Sequence, residues 1–173
     1  MIKKLIITVC NGNIQRSVVA ELCLNKQLKD LGYSDSIVCI SRGLQGSMGT
    51  DMPKGLNLYD YPMELANSEF ALKELGINIS KEQRSTPIDQ DIVKQASVII
   101  AMDNLVLKEL SNSLYGQFPD SKHKMILFSE LADQTSNIDD MGGIDDLSKH
   151  SKLIFDIDRI SRLGIPKLIN LLS

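Results

Sequence analysis

The run Leu5-Ile6-Ile7-Thr8-Val9 carries no charge, is rich in β-branched residues and ends in a glycine-containing loop. An apolar stretch of this length without polar alternation predicts a strand buried on both faces, as in a parallel sheet. The period then changes. Val18, Val19, Leu22, Cys23 and Leu28 recur at helical spacing, which predicts a helix over 17–31 stopped by Gly32. Residues 36–41, Ser-Ile-Val-Cys-Ile-Ser, read as a second strand. Residues 42–62 have little period and many glycines and prolines, the mark of a long functional or mobile loop. The pattern then predicts a helix over 63–75 ended by Gly76, a polar connection over 78–87, a short helix over 88–96 and a third strand over 97–102. A helix over 104–111, a fourth strand over 124–128 and an acidic loop over 137–143 follow. The chain closes with helix over 147–172, kinked or broken at Gly164-Ile165-Pro166. Strands alternating with helices predict an α/β class: a four-stranded parallel sheet flanked by helices in three layers. No repeat, low-complexity tract or boundary interrupts it, so residues 1–173 are expected to form a single domain.

Composition narrows the partners. The net charge is −3, which gives no general affinity for nucleic acid or anionic membrane, so any anion site must be local and geometric. The cysteines number three, Cys10, Cys23 and Cys39, an odd count that argues against a disulfide framework and fits a reducing cytoplasm. The apolar run at Leu5–Val9 is too short for a signal-peptide core or a membrane span. A soluble cytoplasmic protein is expected.

The candidate chemistry lies between the first strand and the first helix, in Cys10-Asn11-Gly12-Asn13-Ile14-Gln15-Arg16-Ser17. Helix starts carry unpaired N–H groups and partial positive charge, and a tight loop entering one can aim several N–H groups at a single anion. Gly12 tolerates backbone angles that other residues resist, and Asn13 can adopt a left-handed conformation and tie the loop through its amide. Arg16 offers a planar fork for two phosphate oxygens. The same field favours a thiolate at Cys10, and the Ser17 hydroxyl can donate to that sulfur. Nucleophile, arginine and amides then share a pocket suited to in-line attack on phosphorus. Cys23 and Cys39 read as core residues, and His123 and His150, set among Lys and Ser, as surface ones.

These residues resemble the low-molecular-weight protein tyrosine phosphatase family, whose loop reads Cys-x-Gly-Asn-x-x-Arg-Ser. The resemblance extends over nearly the whole chain. Val38-Cys39-Ile40-Ser41-Arg42-Gly43 is similar to the family's second strand and Ser-Ala-Gly turn, with Arg42 in place of a small residue. Gly76 to Ser80 is similar to the segment before the third strand, and Val98 to Asp103 to that strand and its terminal Asp. The resemblance implies a Rossmann-type sheet and phosphotyrosine hydrolysis through a phosphocysteine on Cys10, with no metal or other cofactor. It implies that Asn11, Gly12, Asn13, Ile14, Gln15 and Arg16 bind the phosphate, that Arg16 stabilises the transition state and Ser17 the thiolate, and that Ser41 and Asp103 support the site. It also implies an aspartic acid on a late loop that protonates the leaving group and then activates water. The family's Asp-Pro reads Asp139-Asp140 here, followed by Met141-Gly142-Gly143. Aligning on the glycines makes Asp139 the acid, and counting from Asp103 allows Asp140 instead. Asp139 is the first choice. Gln83 stands in place of a common histidine, and Gln15 in place of a frequent second loop cysteine, which removes a protective disulfide partner.

The residues leave several substrates open. Ile14 presents an apolar wall suited to an aromatic ring, where arginine phosphatases tend to carry threonine, so phosphotyrosine is favoured over phosphoarginine. An arsenate reductase would need further cysteines, and residues 80–90 contain none. A phosphotyrosine-binding module without turnover is the reading from another class, motivated by Asp140 and Gln83 and opposed by the retained Cys10, Arg16 and Ser17. Met141 stands where the family has an aromatic wall, and Met48, Tyr59 and Tyr61 of the long loop are candidates to complete it. The expected partners are a phosphotyrosine-bearing protein or peptide and an oxyanion in the loop, with the chain acting as a monomer.

Overall fold

A computed structural model describes residues 3–47, 49–50 and 55–173. Four parallel strands form one sheet: β1 (Lys4–Cys10), β2 (Ile37–Gly43), β3 (Ala96–Ala101) and β4 (Met125–Leu127), in the order β2-β1-β3-β4. The sheet lies between two helical layers, as the alternation predicts. Period two along β1 divides its side chains between two cores. Ile6 and Cys10 join the layer of α1 (Arg16–Asp30), α2 (Pro62–Glu74) and α5 (Leu147–Leu171), while Ile7 and Val9 join that of α3 (Gln90–Gln95) and α4 (Leu114–Gln117). Burial on both faces explains the unbroken apolar run.

The chain crosses from one side of β1 to the other between β2 and β3, so the C-terminal ends of β1 and β3 open on a topological switch point. Open α/β sheets place ligands in that crevice. Cys10 closes β1 there, and Asp103 follows β3 by two residues.

Two elements differ from the periodicity. Residues 105–109 form a short π-helical turn rather than an α-helix, with the Leu110 N–H donating to the Leu105 carbonyl. The Asp103 carboxylate accepts the Val106 N–H at 2.7 Å and anchors the turn's start. The last helix runs unbroken from Leu147 to Leu171 through Pro166. An interior proline costs about 3 kcal/mol. Here Pro166 is itself exposed, while the same helix carries a buried stripe from His150 through Leu153, Ile154, Ile157 and Ile160 to Ile165 and Leu168. Burial of that stripe outweighs the missing hydrogen bond. Gly164 does not act as a hinge: a Cβ there would stand 2.5 Å from the Leu131 Cβ, so the glycine admits close contact. Among the described residues, no helix is long and apolar enough to cross a membrane.

Candidate active site

The loop between β1 and α1 is turned by Asn13, at φ +54°, and not by Gly12. Asparagine accepts this left-handed conformation because its amide can bond locally. Asn13 Oδ1 accepts the Thr86 N–H at 2.9 Å, which turns Nδ2 toward Ser17 Oγ at 3.0 Å. Since Ser17 Oγ accepts there, its own hydrogen is directed to Cys10 Sγ, 3.1 Å away. The Asn13 N–H also donates to that sulfur, at 3.2 Å. Two donors therefore converge on the Cys10 sulfur. The N–H groups of Gly12, Ile14, Gln15 and Arg16 have no acceptor among the described residues, as an anion cradle requires.

Arg16 is buried beneath this loop. Its Nη1 pairs with the Asp103 carboxylate and donates to the Ile138 carbonyl at 2.8 Å, and its Nη2 lies 3.5 Å from Asp140 Oδ2. Burial alone would weaken the charged guanidinium, but the charges of Cys10, Asp140 and Asp103 outweigh it and hold Arg16 more firmly protonated than usual. Asp103 thus aims Arg16 with one oxygen and holds its own turn with the other.

Above the loop lies a pocket of about 300 Å³. Its floor is Cys10, Asn11, Gly12, Ile14, Gln15 and Arg16. One wall comes from the long loop through Ser47, Gly49, Leu58 and Tyr61, the other from Glu64 on α2 with Asp140, Gly142 and Gly143. The long loop is held by Asn57, which is buried, donates to the Ser80 and Gln83 carbonyls and accepts the Tyr59 N–H. At Gly49 the backbone lies so close that a Cβ would fall on the Gly12 carbonyl oxygen. Gly49→Ala is therefore expected to push the two loops apart, lowering stability by about 1–3 kcal/mol and weakening competitive inhibition by inorganic phosphate. Phosphate inhibition at the wild-type level would show that the contact does not shape the cradle.

The acidic loop is pinned at several points. The Ile138 N–H donates to the Met102 carbonyl at 2.9 Å, the Gly143 N–H to Glu64 Oε1 at 3.0 Å, and Asn67 Nδ2 to Asp145 Oδ1 at 2.9 Å. Asp140 Oδ1 accepts the Gly142 N–H at 3.1 Å, and Oδ2 is the oxygen nearest Arg16. Asp139, the first choice from sequence, does not line this pocket; it borders an adjoining depression with Met141, Ile144 and Lys149. Of the adjacent pair, only Asp140 lines the Cys10 pocket.

Other expected residues separate. Tyr61 lines the pocket. Tyr59 does not: its hydroxyl donates to the Ile79 carbonyl and Lys81 stands over its ring. Met141 packs against the core, and Met48 lies outside the described residues. Ser41 is buried in β2, accepting from Gln83 Nε2 at 3.4 Å, and does not line the pocket. Cys23 and Cys39 are buried; burial pushes the Cys23 thiol up to about 12, with Asp158 adding to it, and raises Cys39 as well. His123 is exposed, but His150 is fully buried. Its spacing from Leu153, Ile154 and Ile157 would have placed it on the buried stripe. Glu64, Ser47, Gly49 and Leu58 carried no local signal in the sequence.

No curated protein sequence matches the chain. Solved structures do. A low molecular weight protein tyrosine phosphatase from T. tengcongensis is 25% identical with TM-score 0.75, covering 95% of this chain and 99% of that one. A protein tyrosine phosphatase from Entamoeba histolytica is 19% identical with TM-score 0.74, covering 97% and 98%. The YwlE arginine phosphatase from Geobacillus stearothermophilus is 21% identical with TM-score 0.70, covering 96% and 94%. The last two show the fold alone. The family model described as low molecular weight phosphotyrosine protein phosphatase matches residues 5–152. With its cysteine loop at the switch point of this sheet, the chain belongs to the low molecular weight phosphotyrosine protein phosphatase family, a family of cysteine-based phosphatases.

Proposed function

We propose that the protein hydrolyses phosphotyrosine in a protein or peptide through a phosphocysteine on Cys10. The Cys10 sulfur attacks phosphorus while the bond to the tyrosyl oxygen breaks, and Arg16 with the loop amides holds the transferring oxygens. Asp140 gives its proton to the leaving phenolate. As a carboxylate it then takes a proton from the water that attacks phosphorus, the S–P bond breaks and phosphate leaves. The observation that carries the choice of acid is the single carboxylate of the acidic loop in the Cys10 pocket, Asp140, with Oδ2 3.5 Å from Arg16 Nη2. Ile14, Leu58 and Tyr61 around that pocket support an aromatic ester.

Phosphoarginine is the second reading. It is favoured by Glu64, whose carboxylate on the pocket wall would suit a guanidinium. Phosphotyrosine and phosphoarginine peptides offered side by side decide between them: faster release of phosphate from phosphotyrosine is expected, and the reverse order would overturn the reading. Asp140→Asn is expected to lower kcat for phosphotyrosine by roughly 10²-fold or more, with Asp139→Asn remaining near the wild type. Loss confined to Asp139→Asn would return the acid to that residue.

A further inference from the structure

Gln15 of the phosphate loop and His150 of α5, 135 positions apart, meet in the interior. His150 Nε2 lies 2.8 Å from the Ile144 carbonyl oxygen. A carbonyl only accepts, so the ring proton is on Nε2 and Nδ1 is an acceptor. Nδ1 lies 3.0 Å from Gln15 Nε2, which donates to it. The second hydrogen of that amide goes to Ser68 Oγ at 2.7 Å, and the Ser68 hydroxyl donates to the Glu64 carbonyl at 2.6 Å. Each hydrogen has one place. Flipping the Gln15 amide would set its oxygen against two acceptors, and moving the ring proton to Nδ1 would set Nε2 against the Ile144 carbonyl. Buried networks satisfied in this way hold a single arrangement.

The two ends of this chain of bonds matter for the chemistry. One is Ile144, four residues after Asp140 on the acidic loop. The other is α2, whose Glu64 side chain holds Gly143 of the same loop. Gln15 stands between them on the floor of the pocket.

We propose that His150 is a positioning residue: seated on Gln15 through Nδ1, it holds the Ile144 carbonyl through Nε2–H and so fixes the height of Asp140 above Cys10. The role rests on Asp140 as the general acid. It separates two effects that plain structural support would not. A misplaced acid slows departure of a basic phenolate, but an acidic phenolate leaves without a proton. The nucleophile and the backbone amides of the cradle do not bond His150, and Gln15 keeps its bond to Ser68.

His150→Phe keeps a ring in the cavity and removes both hydrogen bonds. Its kcat/KM, which reports formation of the phosphocysteine and not its later hydrolysis common to both esters, is expected to fall roughly tenfold with phenyl phosphate and to stay within about twofold of wild type with 2,4-dinitrophenyl phosphate. Inhibition by inorganic phosphate should remain within about twofold, because Gln15 keeps its bond to Ser68 and the backbone amides of the cradle do not bond His150. Equal loss on both esters, or no loss on either, overturns the positioning role. Asp140→Asn measured alongside must show the same contrast between esters. If it does and His150→Phe does not, the positioning role fails alone; if Asp140→Asn shows no contrast, the acid assignment fails and the role with it. Should His150→Phe not fold, the nitrogen-15 shifts of the wild-type imidazole decide: a proton on Nε2 with Nδ1 unprotonated is expected, and a proton on Nδ1 overturns the proposal.

Discussion

Cys10→Ser is expected to abolish hydrolysis of aryl phosphates, with kcat down by at least roughly 10⁴-fold, while inorganic phosphate still binds. The donors around position 10, the Asn13 N–H and the Ser17 hydroxyl, are arranged to stabilise charge on sulfur. A serine hydroxyl stays protonated near neutral pH, and no base among the described residues is hydrogen-bonded to the Cys10 sulfur to take its proton. Arg16 keeps its bonds to Asp103 and Ile138, and the free amides of the loop are unaltered, so the anion site survives. Turnover of p-nitrophenyl phosphate and calorimetric titration with phosphate measure the two halves separately. Residual activity above about one per cent would remove Cys10 as nucleophile, since loss of a covalent nucleophile costs several orders of magnitude. Rapid quenching of the wild type with substrate should trap phosphate on Cys10, detectable by mass spectrometry.

Asp103→Asn is expected to damage both stability and catalysis. Arg16 is 4% exposed and Asp103 5%, so their ion pair is almost fully removed from water. Removing one partner of such a pair leaves a buried charge uncompensated and costs about 3–5 kcal/mol. Asparagine retains the shape and can still accept the Val106 N–H, which places the cost near about 3 kcal/mol. For a chain of this length that lowers Tm by roughly 6–12 °C. Arg16 would then be held only by the Ile138 carbonyl and Asp140, and its fork would no longer be aimed. A fall in kcat of at least roughly 10²-fold is expected from losing one transition-state donor. Thermal unfolding together with rates measured well below Tm separates the effects. Lowered Tm with unchanged kcat would reduce Asp103 to a structural role.

The loop from Cys10 to Ser17 was legible because its chemistry is local. A strand, a tight turn and a helix start are contiguous, and backbone amides near a cysteine need no distant partner. The sheet was legible for a similar reason: Leu5–Val9 and Ser97–Met102 are apolar on both faces, and only a doubly covered parallel sheet buries both. Asn13 was read as able to turn left-handed and tie the loop through its amide, and it does so at φ +54°, its side chain secured by the distant Thr86 N–H; Gly12, the other candidate, takes no positive φ.

Two expectations failed on tertiary grounds. The helix over 147–172 continues through Pro166 because burial of its long stripe against α1, α2 and residues 128–132 outweighs one lost hydrogen bond. His150 was read as exposed from its polar neighbours, although its phase with Ile154 and Ile157 pointed inward.

By itself the sequence determined the α/β class and the family-type loop that carries Cys10 and Arg16. These depend on period, on contiguous backbone geometry and on residue chemistry. Only the tertiary structure decided which of Asp139 and Asp140 reaches the pocket, that Glu64 and the long loop wall it, and that His150 joins Gln15 to the acidic loop. Those depend on how segments far apart in the chain meet at the switch point of the sheet, and no local pattern records the distance between two side chains 135 positions apart.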